Sequence, residues 1–154
     1  MTDDEAMVLA LQEAEGATMH GDVPVGAVLL SPDGHVLARR HNERELRGDP
    51  TAHAELLALR DGASALGSWR LEGTTLVVTL EPCAMCAGGL VAARVAAVVF
   101  GAPDPKAGAC GSLYNLCADP RLNHEVRVVS GVGADPAAGL LTTFFADRRG
   151  GDRL

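Results

Sequence analysis

The sequence predicts an α/β protein. Three short apolar runs, at 25–30, 74–80 and 95–100, read as buried strands. They are too short for helices and rich in β-branched residues. Between them lie helical patterns: an amphipathic stretch over 4–18, a helix start at Thr51 and another at Pro82. At 154 residues the chain fits one domain with a substantial core.

Residues 4–18 place Met7, Ala10, Leu11, Ala14 and Thr18 on one face, with Glu5, Gln12 and Glu15 turned away. His20 then reads as an ordinary surface histidine. Ser31-Pro32-Asp33-Gly34 is a turn between the first strand and a hairpin partner running from His35 to Arg40. Asn42 stands at the strand end, where turn chemistry is the usual role. Its amide also offers a donor and an acceptor that suit a purine edge. Thr51 is placed to cap the next helix, whose buried stripe is Leu56, Leu59 and Ala63 and whose end falls at Gly62 or Gly67.

The strand from Thr74 to Leu80 delivers the chain to Glu81-Pro82-Cys83. Pro82 suits a first helical position. Cys83 and Cys86 then fall in the first turn, where the helix dipole favours thiolate. Gly88 and Gly89 weaken that helix by about 1 kcal/mol each relative to Ala, and close approach of another backbone offers a compensation. Val95 to Phe100 is a third strand. The Gly- and Pro-rich stretch 101–112 follows at its end, a common place for a binding loop. Val126 to Val129 reads as a further strand. Residues 136–148 read as a last helix with Leu140, Leu141, Phe144 and Phe145 on its apolar side.

Bulk properties narrow the function. No apolar run is long enough to span a bilayer. Asp3, Asp4 and Glu5 give the N-terminus the wrong charge for a secretory signal. The chain has four cysteines, two of which are better used as metal ligands than as disulfides, so a reducing cytoplasm is expected. A net charge of −7 argues against nonspecific nucleic-acid binding. It leaves room for a local basic patch. Arg39, Arg40, Arg44 and Arg47 form one cluster; Arg148, Arg149 and Arg153 form another. The simplest reading of each alone is a solvated face.

Chemistry concentrates in Thr51-Ala52-His53-Ala54-Glu55 and Glu81-Pro82-Cys83-Ala84-Met85-Cys86. One imidazole and two thiols form a zinc set. Three ligands leave a fourth position for water, as in catalytic rather than structural sites. Zinc brings the pKa of bound water to around neutrality, and Glu55 is placed to carry its proton. H-x-E followed by P-C-x-x-C is the signature of zinc nucleobase deaminases. Cys110 and Cys117 lack metal-like spacing and read as buried free cysteines.

Beyond the zinc motif, the chain resembles the bacterial tRNA-specific adenosine deaminases, which convert a wobble adenosine of arginine tRNA to inosine. The resemblance rests on Val23-Pro24-Val25-Gly26-Ala27-Val28, Asn42, the stretch from Asp49 to Glu55, the stretch from Thr79 to Gly88, Gly108-Ala109-Cys110-Gly111-Ser112, Asn123-His124 and Phe144-Phe145. It implies a three-layer α/β/α, cytidine-deaminase-like fold with a central mixed sheet, and a homodimer. It also implies one Zn²⁺ per chain on His53, Cys83 and Cys86, with Glu55 as proton shuttle. Asn42 would contact the target nucleotide, and Asp104 and Phe145 would line the path of the tRNA anticodon loop. The arginine clusters would lie near that path. Pro103 and Pro105, flanking Asp104, depart from the family pattern and stiffen the loop. Cys110 stands where a small residue is common. Two rivals remain on the sequence: the same chemistry on a free base such as guanine or cytosine, and a non-catalytic RNA-binding partner with structural zinc.

Overall fold

The computed structural model describes residues 1–152, and side chains through Arg148. Arg153 lies outside the described residues, as does the side chain of Arg149. In chain order the elements are α1 (Asp3–Thr18), β1 (Gly26–Leu30), β2 (Val36–His41), α2 (Arg44–Arg47), α3 (Ala54–Leu66), β3 (Thr75–Leu80), α4 (Ala84–Ala92), β4 (Ala97–Ala102), a 3-10 turn (Leu116–Ala118), β5 (Arg127–Ser130) and α5 (Ala134–Asp152).

The alternation of buried residues along three strands decides the layering. Ala27 and Leu29 of β1 point into one apolar cluster, Val28 and Leu30 into another. Leu76 and Val78 of β3 oppose Val77 in the same way, and Val98 and Phe100 of β4 oppose Val99. A sheet apolar on both faces must be covered on both. Ala54, Ala58 and Leu59 of α3 and Ala87, Leu90 and Val91 of α4 cover the first cluster. Ala6, Met7 and Ala10 of α1 cover the second, with α5 beside α1 against β3 and β4. The result is the expected α/β/α layering.

Strand order is β2-β1-β3-β4-β5. β1 pairs antiparallel with β2 and β3, while β3–β4 and β4–β5 are parallel, so the sheet is mixed. α4 is the crossover from β3 to β4, and the C-x-x-C segment lies at its start. Among the described residues no helix is long and apolar enough to cross a membrane.

Several local expectations need correction. The stripe of α1 is Ala6, Met7, Ala10, Ala14 and Ala17. Thr18 is exposed, its hydroxyl donating to the Glu15 carbonyl. His20 is no free surface residue: it is bonded to Asp22 (2.6 Å) and His41 (3.1 Å). Asp22 is fully buried and accepts the N–H groups of Glu45 and Leu46, which starts the unexpected α2. Thr51 does not cap α3, because its N–H and hydroxyl both donate to Asp49 Oδ1 at 2.8 Å. The cap position belongs to His53. Likewise Cys83, not Pro82, ends the approach to α4 and stands at its N-cap. Gly67 ends α3 in the left-handed conformation, whereas Gly62 packs inside it against Leu29. No other backbone approaches Gly88 or Gly89 as expected: the Leu56 side chain packs against Gly89, and Gly88 faces open space. Among the described side chains of α5 only Ala137 is buried, and Phe145 is 44% exposed.

Candidate active site

Two helix N-termini meet at one end of the sheet. His53 precedes α3 and Cys83 precedes α4, each in extended conformation at its N-cap. Such ends gather unpaired N–H groups and partial positive charge, which favours anionic sulfur. His53 Nδ1 lies 3.7 Å from Cys83 Sγ and 3.5 Å from Cys86 Sγ. All three ligand atoms fall within 4.8 Å of one another. In a tetrahedral zinc site with ordinary bond lengths, nitrogen and sulfur ligands stand roughly 3.6 Å apart. The donor set and its spacing therefore fit zinc.

Without a cation the three groups share protons among themselves. The Cys83 thiol is held down to about 3 by its hydrogen bond to Cys86 and by His53. The same Cys83 contact, with burial, pushes Cys86 up. A bound dication would hold both as thiolates. The hydrogen bond to Cys83 raises the His53 pKa against the opposing effect of burial. Glu55, in the first turn of α3, is 4% exposed. Burial pushes its carboxyl up, toward the range in which a carboxyl can exchange protons.

The pocket over these groups is lined by Val23, Val25, Asn42, Arg44, His53, Glu55, Cys83 and Asp104, among others. Asn42 is buried, with its Nδ2 donating to the Val23 carbonyl (3.2 Å) and its Oδ1 accepting the Arg44 N–H (3.1 Å). The turn role is thus real, and one amide hydrogen and one oxygen lone pair remain for the pocket. Asp104 reaches the wall from the loop after β4. Phe145 is not among the lining residues; on α5 it packs edge-on against Phe144 at 5.4 Å. Cys110 and Cys117 are buried free thiols facing each other at 3.7 Å, apart from the His53 group.

Glu81 is the residue that sequence reasoning missed. It lines the same pocket and is 2% exposed. Burial raises its pKa, but hydrogen bonds from Ser112 and from the N–H groups of Asp104 and Cys110 outweigh that and lower it. Its place directly before Pro82-Cys83 is visible in the sequence; its partners, more than twenty residues away, are not.

The arginines also sort themselves. Arg39 is bonded to Glu13, Arg40 to Glu43 and Asp61, and Arg47 to Glu43. Arg44 alone of this cluster lines the pocket. Arg148 donates to the Gly21 carbonyl and lies over the Phe144 ring.

Residues 1–102 match the cytidine and deoxycytidylate deaminase zinc-binding region. The chain is 51% identical over 150 residues to the tRNA-specific adenosine deaminase of Bacillus subtilis (strain 168), covering 97% of this chain and 92% of that protein. It is 44% identical over 147 residues to the enzyme of the same name from Haemophilus influenzae, covering 96% of this chain and 85% of the relative. It also resembles a solved structure from studies of A-to-I editing by tRNA:A34 deaminases at the wobble position of transfer RNA. There the TM-score is 0.86 and the identity 43%, over 89% of this chain and 99% of the other.

Proposed function

The chain belongs to the cytidine and deoxycytidylate deaminase family and, within it, to the tRNA-specific adenosine deaminases, and from that premise we propose that its target is the wobble adenosine of an arginine tRNA. It is a zinc enzyme that deaminates adenosine in tRNA. The observation that supports the finer reading is the convergence of His53, Cys83, Glu55, Asn42 and Asp104 on one pocket, with the buried Cys86 completing the ligand set.

In this reading His53, Cys83 and Cys86 hold the ion and Glu55 does the proton work. When bound there, zinc supplies a water acidified to about neutrality. Glu55 takes a proton from the water that attacks C6 and delivers it to N1 of the purine. It then takes the remaining proton from the hydroxyl now on C6 and passes it to the amine as the C6–N bond breaks, so that adenosine and water leave as inosine and ammonia. Its burial beside the ligands keeps bulk water from competing for that proton. Asn42 orients the nucleotide through the amide hydrogen and lone pair that the turn leaves free. An anticodon loop suits such a site, because an unpaired base enters without breaking a duplex.

The proposal extends to a homodimer acting in the cytoplasm. An apolar groove on the outer side of α3 and α4 supports the dimer. Leu56, Leu59, Ala63, Gly89 and the 58% exposed Trp69 line it. Sedimentation should give twice the chain mass. Four free thiols suit a reducing compartment.

Incubation of purified protein with total tRNA, followed by inosine mapping, tests the reading. Inosine should appear at the wobble position of arginine tRNA alone. Turnover of free guanine or cytosine, with tRNA untouched, would overturn it in favour of free-base deamination.

A further inference from the structure

We propose that Glu81 is a positioning residue for substrate: its carboxylate shapes the 103–112 loop that walls the pocket, and so governs how RNA fits rather than how metal is held. The proposal rests on the reading above that Asp104 lies along the substrate path.

Glu81 leaves the end of β3 with its N–H donating to the Ala102 carbonyl (2.9 Å). Its side chain then turns into the loop. Oε1 accepts the Asp104 N–H at 3.0 Å and the Ser112 hydroxyl. Oε2 accepts the N–H groups of Cys110 and Ser112, each at 3.0 Å. A carboxylate offers about four lone-pair sites, so these donors occupy them all. They come from both ends of the loop, and one side chain therefore fixes its width.

The fit leaves no slack. A Cβ on Gly108 would collide with the Glu81 carboxylate itself. The Ala109 N–H donates to the Pro82 carbonyl at 2.8 Å, and Gly108 bridges to Cys83, so the loop is laid directly along the metal-ligand segment. A stretch with so many Gly and Pro residues cannot organise itself by regular hydrogen bonds. The buried carboxylate supplies the missing template.

The consequence reaches the pocket through Asp104 and Ala107, which line it together with Cys83. Asp104 Oδ1 accepts the N–H groups of Lys106 (3.1 Å) and Ala107 (3.2 Å), closing a turn over residues 104–107. Glu81 anchors that turn at its first N–H. Among the described residues the Glu81 carboxylate makes no hydrogen bond to His53, Cys83 or Cys86. Its influence is therefore on the wall and not on the ligands.

Glu81→Gln tests this, because it keeps the size and turns an acceptor into a donor facing N–H groups. The variant should still bind zinc. Its KM for an anticodon stem-loop should rise by roughly ten- to a hundredfold, the loss expected when a charged hydrogen-bond acceptor goes. Its kcat at saturation should fall by less than about threefold. The amides of Asp104, Cys110 and Ser112 should exchange with solvent at least about tenfold faster than in the wild type. Should Glu81→Gln fail to fold, Ser112→Ala, which removes only the side-chain donor, should raise KM by about threefold with kcat held. Unchanged KM and unchanged amide exchange would overturn the proposal, as would loss of zinc with kcat and kcat/KM falling together. A wild type that leaves the stem-loop unreacted would instead sink the tRNA reading. Amide exchange would then decide alone whether Glu81 holds the loop.

Discussion

His53 and Cys86 stand 33 residues apart along the chain, yet Nδ1 of the ring lies 3.5 Å from the sulfur. That spacing is the one two ligands of a single zinc ion adopt. Purified protein should hold about one Zn²⁺ per chain. Cys83→Ala removes a ligand outright, so its zinc affinity should fall by more than the ~10–100-fold that second-sphere changes cause. Its thermal midpoint should drop as well, since metal binding is linked to folding. Metal analysis after dialysis, with a melting curve, checks both; full activity in a metal-free preparation would remove the zinc assignment.

Glu55 should behave in the opposite way to Cys83. Glu55→Ala keeps all three ligand atoms and should keep zinc. Its kcat should fall by about 10²–10⁴-fold, the usual worth of positioned proton transfer. Release of zinc by this variant would show the carboxylate to be a ligand rather than a shuttle.

The pH dependence of stability should carry the mark of Glu43. Burial raises its pKa, but hydrogen bonds and charge from Arg40 (2.7 Å) and Arg47 (2.6 Å) outweigh burial and lower it. A carboxylate whose folded pKa is depressed binds fewer protons folded than unfolded. Its contribution is therefore complete above the unfolded pKa and disappears as pH falls through the folded one. Glu43→Gln should cost about 1–3 kcal/mol at neutral pH. The gap from wild type should close in acid below the ordinary carboxylate range. Denaturant unfolding of both proteins across that window measures it; a gap that stays constant into acid would mean that size, not charge, matters at this position.

What was legible in the sequence divides by distance along the chain. The zinc set could be read because each half is local: H-x-E and C-x-x-C place their groups within a helical turn whatever surrounds them. Strand faces were legible for the same reason, as Val28 and Leu29 must point to opposite sides. Features made by remote partners were not. α2 forms because Asp22 supplies an acceptor from 23 residues away. Thr51 yields the cap to His53 because Asp49 captures its donors first. Gly26 reads as a strand residue, but it also sits where any Cβ would meet the Ala10 carbonyl of α1. The Arg39, Arg40, Arg44 and Arg47 cluster looked uniform, and only folding distributed its carboxylate partners.

That distribution sets the last prediction, on how a chain of net charge −7 holds RNA. Phosphate contacts supply affinity, and each flattens the dependence of binding on log salt by about 0.7–0.9 when removed. Arg39 and Arg40 already face carboxylates: Glu13 at 3.0 Å, and Glu43 and Asp61 at 2.7 and 2.8 Å. Paired guanidinium groups bring little net charge to a phosphate. Arg44 lies in the pocket wall with, among the described residues, only a 3.5 Å ion pair to the exposed Glu45. Arg148 is exposed, with a backbone carbonyl as its partner. Arg44→Ala and Arg148→Ala should therefore each weaken stem-loop binding and lower the salt slope by about one unit. Arg39→Ala should leave the slope unchanged, because the removed charge was already compensated by Glu13. Titration of a labelled stem-loop over a range of salt separates the three variants. Equal slopes in all of them would show that phosphate contacts lie elsewhere on the surface, and a slope lost with Arg39 would show that its ion pair opens for RNA.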